Sequence, residues 1–299
     1  MGLLIVQISD LHLHDCPHPL TPPRCAELIA EQIAYLQRPN ESVCVAVCGD
    51  LVTKGRSWLY ESATAFLLHL KAALGSKPEF VLCPGNHDLD SESVIRRAFD
   101  GFQHTSWVLG QSLKFGEGTH VARQRTLGLE FVVANSAYHG NYSYGEVDRV
   151  QLEAELREAA ASRLPIVLLV HHHLLPRDDD KCSAIWNADE VYRLALHYDV
   201  ALILHGHVHG ISVRVATHKR CALIGAGSLF GVTTRNTANQ FNILRMDHAR
   251  IKKVWACGYD AGIRAFRTNE VRLRTGQDLR RLGWHRLSSM AVWKSWRAK

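Results

Sequence analysis

The sequence lacks the features that mark membrane-spanning, secreted and repeat proteins. Its longest apolar run near the middle, Ile166 to Val170, is far too short to cross a bilayer. The apolar start of the chain has no basic segment before it and reaches an acidic residue at Asp10, so we expect no signal peptide. No internal repeat or low-complexity linker interrupts the 299 residues. These absences leave a globular protein of one large or two small domains.

Several catalytic and metal-binding motifs are also missing. The 8 Cys include no C-x-x-C pair, and Cys44 and Cys48 share one face of an apolar strand. We therefore expect buried free thiols in a reducing cytosol, and a cytoplasmic protein. No G-x-S-x-G elbow supports a serine hydrolase. The stretch 225–228, Gly-Ala-Gly-Ser, lacks the Lys-Thr ending of a phosphate-binding loop, and we interpret it as a strand-end turn near a site.

Charge is concentrated at the end of the chain. The formal net charge is +6, yet residues 271–299 hold eight Lys and Arg against a single Asp, so residues 1–270 are nearly neutral. The same segment contains Trp284, Trp293 and Trp296. It is consistent with a packed or solvated extension, with a nucleic-acid or partner surface where Arg contacts phosphate and Trp stacks on bases, or with a membrane-surface segment. Charge alone does not separate these alternatives.

Apolar runs of strand length alternate with helical patterns along most of the chain. This alternation predicts an α/β domain with a layered sheet, followed by an antiparallel finish. The segment from about 100 to 130 stays undecided. We expect a catalytic domain over residues 1–262 and a basic, Trp-containing extension over 263–299. The predicted strands are 3–8, 43–48, 79–83, 131–134, 166–170, 200–204, 213–217, 221–224, 240–246 and 251–257, and the predicted helices are 25–37, 61–74, 147–161 and 188–197.

Polar side chains that can bind metals follow five of these strands. Ligands in α/β proteins bind beyond the carboxyl ends of the strands, so the five strand ends are expected to converge. Asp, Asn and His suit Mn, Fe, Zn or Ni, and the set is larger than one ion needs. Two ions sharing a carboxylate form a device for displacement at phosphorus. The segments are Asp10-Leu11-His12, Gly49-Asp50, Gly85-Asn86-His87-Asp88, His171-His172-His173 and Gly206-His207-Val208-His209.

Taken in order, these segments resemble the calcineurin-like metallophosphoesterase superfamily over roughly residues 3–231. Residues 49–52 with Gly55 are most similar to its small prokaryotic phosphodiesterases, which act on cyclic nucleotides or glycerophosphodiesters. The resemblance implies an α/β fold of the four-layer α-β-β-α type, with two mixed sheets flanked by helices. It also implies two divalent or trivalent transition-metal ions, Mn, Fe, Zn or Ni. The ligands that it assigns are Asp10, His12 and His209 for one ion, Asn86, His171 and His207 for the other, and Asp50 as the bridge.

The resemblance assigns catalytic roles to two further residues. His87 matches the histidine that stabilises the transition state or protonates the leaving oxygen, and Asp88 is expected to orient its imidazole. At the triple histidine the family pattern is less well matched, since many relatives have His-His-Pro-Pro there. We favour His171 as the ligand, with His172 or His173 as alternatives that otherwise contact substrate. Residues two apart on an extended strand end point to the same side, which accounts for the Asp-x-His and His-x-His spacings.

The implied function is hydrolysis of a nucleotide or small phosphodiester, by in-line attack of a hydroxide that bridges the two ions. One alternative is a metal-dependent nuclease in which the basic tail binds DNA or RNA. A phosphomonoesterase and a non-catalytic scaffold are further alternatives, although a scaffold relative would have lost ligands and none of the matched positions is missing here. Nothing in the sequence indicates the oligomeric state or the identity of the substrate.

Overall fold

Two mixed six-stranded sheets with helices packed against them form the protein, which confirms the predicted fold class. The computed structural model describes residues 2–13, 20–75, 77–90, 98–116, 118–141, 144–175, 184–215, 221–231, 238–247 and 250–271. No helix within these residues is long and apolar enough to span a membrane. The six cysteines among them are all free and buried, as predicted.

The first sheet has the strand order β12-β11-β10-β1-β2-β3. Strands β1, β2 and β3 run parallel, so their carboxyl ends meet at one edge, and the other three strands add in antiparallel fashion. Helices α1 and α2 pack against each other, and α1 also contacts β12. The elements are β1 (Gly2–Ile8), α1 (Pro22–Leu36), β2 (Ser42–Cys48), α2 (Tyr60–Ala73), β3 (Glu79–Cys83), β10 (Gln240–Asp247), β11 (Arg250–Asp260) and β12 (Ala265–Val271).

The second sheet has the order β4-β5-β6-β7-β9-β8. Strands β5, β6, β7 and β9 are parallel, while β4 and β8 add antiparallel at the two edges. Helices α4 and α5 pack together, with α4 against β5 and β6. The elements are β4 (Val121–Thr126), β5 (Leu129–Ala134), α4 (Arg149–Ala161), β6 (Ile166–Val170), α5 (Ala188–His197), β7 (Leu202–His205), β8 (Ser212–Val215) and β9 (Ala222–Gly225). Helix α3 (Asp100–Val108) precedes them and packs against α2.

Strand β6 shows why the central strands are apolar throughout. Its side chains alternate between two cores, with Val167 and Leu169 facing the core between the sheets. Ile166, Leu168 and Val170 face the core beneath α4 and α5. A parallel strand covered on both faces needs no polar side of its own. The uninterrupted run therefore places β6 at the centre of the molecule, with its end at the shared edge of the sheets.

Part of the predicted C-terminal extension belongs to the first sheet. Strand β12 pairs with β11 from Asp260↔Ala265 to Val254↔Val271. Phe266 of β12 is 5% exposed and packs edge-to-face on Phe241 of β10, with ring centroids 4.9 Å apart. The boundary proposed between residues 262 and 263 thus falls within a hairpin, and the division into two domains stays a prediction. The basic residues 272–299 lie outside the described residues.

Candidate metal centre

The loops after β1 and β2 run side by side beyond the sheet edge. The backbone N–H of Asp10 donates to the Gly49 carbonyl at 3.0 Å, and that of His12 donates to the Asp50 carbonyl at 3.1 Å. The loop after β7 joins them, because the His207 N–H donates to Asp10 Oδ2 at 3.1 Å. The strand-end residues of both sheets therefore converge in one place, as the topology of the parallel strands requires.

Several of these side chains are oriented by left-handed backbone conformations. The expectation that the Asp-x-His and His-x-His residues lie on extended strand ends is therefore wrong. The φ angles are 53° at Asp10, 43° at His12, 54° at Asp50, 71° at His207 and 48° at His209. Such angles are uncommon for residues other than glycine, and Asp and His are among the types that tolerate them. Their concentration here means that the surrounding fold holds the loops in a costly conformation, which is typical of functional sites.

Asp10, His12 and His209 form the first group. Asp10 Oδ1 lies 3.2 Å from His209 Nε2 and 3.8 Å from His12 Nε2. Asp10 Oδ1 and His12 Nε2 are buried and have no hydrogen-bond partner among the described residues. Burial works to raise the pKa of Asp10, but its interactions with His209 outweigh this and hold the pKa at about 2. The carboxylate is thus ionised and turned towards two imidazoles, an arrangement suited to a cation.

Asp50, His171 and His207 form the second group, together with Asn86. His171 Nε2 lies 3.2 Å from Asp50 Oδ2, 3.0 Å from Asn86 Oδ1 and 3.2 Å from His207 Nδ1. Its other nitrogen, Nδ1, lies 2.6 Å from the Cys48 carbonyl, which fixes the ring and directs Nε2 into the group. Burial lowers the pKa of His171, but the charge of Asp50 outweighs it and raises the pKa to about 9.

Asp50 connects the two groups. Its Oδ2 lies 3.2 Å from His171 Nε2 and 3.7 Å from His12 Nε2, so one oxygen faces an imidazole of each group. Its Oδ1 accepts a hydrogen bond from the His87 N–H at 2.9 Å, which fixes the carboxylate. Within each group the carboxylate oxygen and imidazole nitrogens lie within 4.8 Å of one another, so each group can hold one metal ion.

Glycines beside the candidate ligands are required by close packing. A Cβ on Gly85 would lie 2.2 Å from Asp50 Oδ1, and a Cβ on Gly206 would lie 1.8 Å from Ser9 Oγ. Both distances are far below van der Waals contact, so no larger residue fits at either position without moving the loops. This accounts for the glycine that precedes Asn86 and for the one that precedes His207.

His87 borders the first group without belonging to it. Its ring meets the His12 ring edge-on, with centroids 4.9 Å apart. Its Nδ1 lies 2.8 Å from the Thr53 carbonyl, so this nitrogen carries the hydrogen and the tautomer is set. The carbonyl of Thr53, and not Asp88, therefore orients the imidazole.

Asp88 has a different role from the one expected. Its carboxylate accepts hydrogen bonds from the backbone N–H groups of Gly85 at 2.9 Å and Leu51 at 3.0 Å, and from the Tyr60 hydroxyl at 3.2 Å. Burial, reinforced by the charge of Asp50, raises the pKa of Asp88 to about 7. Asp88 thus ties together the loops that carry Asp50 and Asn86, and the prediction that it orients His87 is wrong.

The three consecutive histidines separate in the structure. Of the three, His171 is the one that lies with Asp50 and His207 in a group able to hold a metal ion. His172 and His173 are 0% and 2% exposed, as buried as His171, and the substrate contact predicted for them stays a prediction. His172 Nδ1 lies 2.7 Å from Ser136 Oγ, and the ring lies 4.4 Å from that of His207.

Residues outside the motifs also support the metal centre, and the sequence pattern did not reveal them. Ser136 follows β5, whose end is not among the five strand ends that the sequence pattern indicated. Gln7, near the end of β1, donates to the carbonyls of His205 at 3.0 Å and Ile224 at 2.9 Å, and so ties the two sheets together beneath the centre. Ser228 donates to the Asp10 carbonyl at 2.8 Å, which confirms that the segment after β9 lies near the site.

The match to a family model identifies the class of protein. The model for calcineurin-like phosphoesterases matches residues 3–210, so the chain belongs to that family. In sequence it is 27% identical over 180 residues to a probable cyclic nucleotide phosphodiesterase of Psychrobacter sp. (strain PRwf-1). That match covers 57% of this chain and 47% of the relative, so the chain aligns with about half of the relative's length.

Solved structures with the same fold are more distant in sequence. A dimetal phosphatase from Danio rerio superposes with a TM-score of 0.57 at 13% identity, over 91% of this chain and 99% of that chain. GAP50, the anchor in the inner membrane complex of Plasmodium, superposes with a TM-score of 0.53 at 11% identity, over 92% of this chain and 90% of that chain. At these identities the likeness shows the fold alone.

Proposed function

We propose that the protein is a phosphodiesterase that depends on two transition-metal ions. Asp10, His12 and His209 would hold one ion, and Asn86, His171 and His207 would hold the other. Asp50 would be shared by both. The observation that carries the proposal is the placement of Asp50 Oδ2 between His12 and His171, the position a shared carboxylate needs. Asp10 Oδ1 and His12 Nε2, which are buried and have no hydrogen-bond partner among the described residues, fit the same assignment.

The reaction follows from this arrangement. When bound, the ions would draw charge from the phosphoryl oxygens and lower the pKa of the attacking water. His87 stands at the edge of the first group, with Nδ1 held by the Thr53 carbonyl. Its other nitrogen, Nε2, would deliver a proton to the leaving oxygen when the ring is protonated. Asp88 would hold the ligand loops in register without touching the substrate.

A diester with a nucleotide component is the substrate class we favour. The support is the probable cyclic nucleotide phosphodiesterase that matches part of this chain. The donors of the centre also suit a phosphomonoester, so the class must be decided by activity. The identity of the metals is open in the same way, because Mn, Fe, Zn and Ni all accept imidazole, carboxylate and amide ligands.

Metal removal and replacement test the proposal directly. The protein is stripped with a chelator, reloaded with Mn, Fe, Zn or Ni, and assayed on bis-p-nitrophenyl phosphate and p-nitrophenyl phosphate. We expect no activity without metal and recovery on the diester with at least one metal, in excess of that on the monoester. Activity that survives stripping, or a preference for the monoester, would contradict it. As a control, Asp189→Asn removes an exposed acid on α5, and this variant should respond to stripping and reloading as the wild type does.

The nuclease alternative depends on a segment outside the described residues. Removing residues 272–299 leaves β12 in place, since that strand ends at Val271. The truncated and full-length chains are then compared on an oligonucleotide and on bis-p-nitrophenyl phosphate. A nuclease would lose activity on the oligonucleotide alone, and its activity in the full-length chain would fall steeply with added salt.

A further inference from the structure

Five aromatic rings form a continuous row at one side of the centre. His120 stacks on Tyr138 with centroids 4.2 Å apart, and Tyr138 meets His139 edge-on at 5.6 Å. His139 stacks on Tyr144 at 5.2 Å with an interplanar angle of 17°, and Tyr144 contacts Trp186 at 5.0 Å. These residues come from the segments around β4, β5 and α5, none of which supplies a proposed metal ligand. We call them the aromatic row.

The row adjoins the second metal group through His172. A Cβ on Gly145, the neighbour of Tyr144, would lie 2.6 Å from His172 Cγ, so the backbone beside Tyr144 rests on that ring. Ser136, two residues before Tyr138, contacts His172 Nδ1 at 2.7 Å. The His172 ring in turn lies 4.4 Å from that of His207. One buried imidazole thus separates the aromatic row from a proposed metal ligand.

The outer end of the row is open to solvent. Trp186 is 68% exposed, although its backbone N–H is anchored to the Gly145 carbonyl at 2.6 Å. A large apolar ring held at a fixed position in this way adds little to the stability of the fold, because most of its surface stays in water. Burial lowers the pKa of His120 and of His139, so the histidines of the row are neutral near pH 7. The aromatic row is therefore uncharged, and it presents ring faces on which a ligand can stack.

We propose that Trp186, supported by Tyr144, is a stacking subsite for the nucleobase of a mononucleotide substrate. The inference rests on the proposed function, which places the phosphate at the metal ligands. Every nucleobase has a π-face that stacks on tryptophan, and the interaction needs no charge. A subsite made of ring faces also recognises purines and pyrimidines alike, so we expect little discrimination between bases.

Binding of a free nucleoside tests the subsite without catalysis. Adenosine is titrated into the full-length, metal-free protein, and its Kd is measured by ligand-observed NMR. We expect Trp186→Leu to weaken binding by about 5- to 150-fold, the range of one base–aromatic stack. Trp186→Phe, which keeps a ring, should restore most of the affinity. Trp107→Leu removes a tryptophan of similar exposure, 69%, from α3 and should change nothing. Equal affinity in the wild type and Trp186→Leu would overturn the inference.

Kinetics separate this inference from the proposed function. The metal-loaded enzyme is assayed on 3′,5′-cyclic AMP and on the corresponding cyclic phosphate of a ribose without a base. We expect Trp186→Leu to raise KM for the nucleotide alone and to leave kcat and the base-free substrate unchanged. If both substrates are hydrolysed and Trp186→Leu has the same KM values as the wild type, the stacking subsite is refuted and the phosphodiesterase stays intact. Adenosine binding that depends on Trp186, without hydrolysis of either substrate or of bis-p-nitrophenyl phosphate, refutes the phosphodiesterase and leaves the subsite intact.

A comparison of ligand lengths distinguishes a mononucleotide from a nucleic acid strand. A short oligodeoxyadenylate is titrated beside adenosine 5′-monophosphate. If the two ligands bind with similar affinity and Trp186→Leu weakens both, the result supports a mononucleotide as the substrate. If the oligonucleotide binds much more tightly than adenosine 5′-monophosphate and its binding depends equally on Trp186, the ligand is a nucleic acid strand and the mononucleotide assignment is overturned.

Discussion

The single hydrogen of the Tyr60 hydroxyl is shared between two acceptors of Asp88, the carboxylate at 3.2 Å and the main-chain carbonyl at 3.0 Å. Because the same carboxylate holds the backbone N–H groups of Leu51 and Gly85, helix α2 is coupled to both loops that carry proposed ligands. Tyr60 is fully buried at the start of α2, and its ring packs so closely on Gly101 that no Cβ fits there. The ligand loops are therefore positioned from outside the centre.

Asp88→Asn should weaken metal binding and Tyr60→Phe should destabilise the fold, although neither residue is a proposed ligand. Asp88→Asn replaces one acceptor oxygen with an amide that must face a backbone N–H, so we expect metal affinity to fall by about 10- to 100-fold. Tyr60→Phe loses one donor and should lower the free energy of unfolding by about 1–2 kcal/mol. Calorimetric titration with Mn²⁺ and urea unfolding measure the two effects. Tyr35→Phe, on the exposed side of α1, is the control, and unchanged Mn²⁺ affinity in Asp88→Asn would contradict the role assigned.

His87→Ala should separate catalysis from metal binding. The imidazole borders the first group but makes none of its metal-facing contacts, so metal content should stay at the wild-type value. Loss of a positioned general acid lowers kcat by about 10²- to 10⁴-fold. Metal analysis of the purified variant and kcat on a diester give the two values. The assigned role fails if metal is lost in proportion to activity.

Asp50→Asn should abolish the effect of metal on stability. Ions that bind only the folded protein raise the free energy of unfolding by about 4 kcal/mol at a thousand times their Kd. For a chain of this length we expect stripping to lower the Tm of the wild type by about 5 °C or more. Without the shared carboxylate, stripped and metal-treated Asp50→Asn should melt alike. A metal-dependent Tm in this variant would show that the two groups bind ions independently of Asp50.

The residues of the centre could be found from the sequence because each follows a strand with an apolar pattern. Parallel topology then brings them to one edge, and the structure places Asp10, Asp50 and His171 there. The left-handed conformation could not be predicted, since a residue type permits a φ angle but does not impose it. Gln7 was missed because a single amide within an apolar strand has no motif, and its role as a tie between sheets needs both sheets.

The elements that the sequence did not reveal are those stabilised by tertiary contacts. Strand β4 lacks an apolar alternation because Arg123 and Arg125 pair with buried Glu130 on β5, at 3.4 Å and 2.6 Å. Helix α3 is short and contains Gly101, a poor helix former, yet Phe102 is fully buried and anchors it. In both elements local propensity is weak, and packing against a distant segment decides the structure.

The position of β12 predicts where the chain can be shortened. A chain ending at residue 262 loses β12, and with it the buried Phe266 and the hydrogen bond from Thr268 Oγ1 to Gln32 on α1 at 2.7 Å. A chain ending at residue 271 keeps both, so the two truncations differ only in this strand. Removing a buried Phe side chain typically costs about 3–5 kcal/mol, and we expect the shorter chain to be less stable by at least that amount. Urea unfolding of the two chains measures the difference. Equal stability would show that β12 is dispensable and that the catalytic domain ends before it.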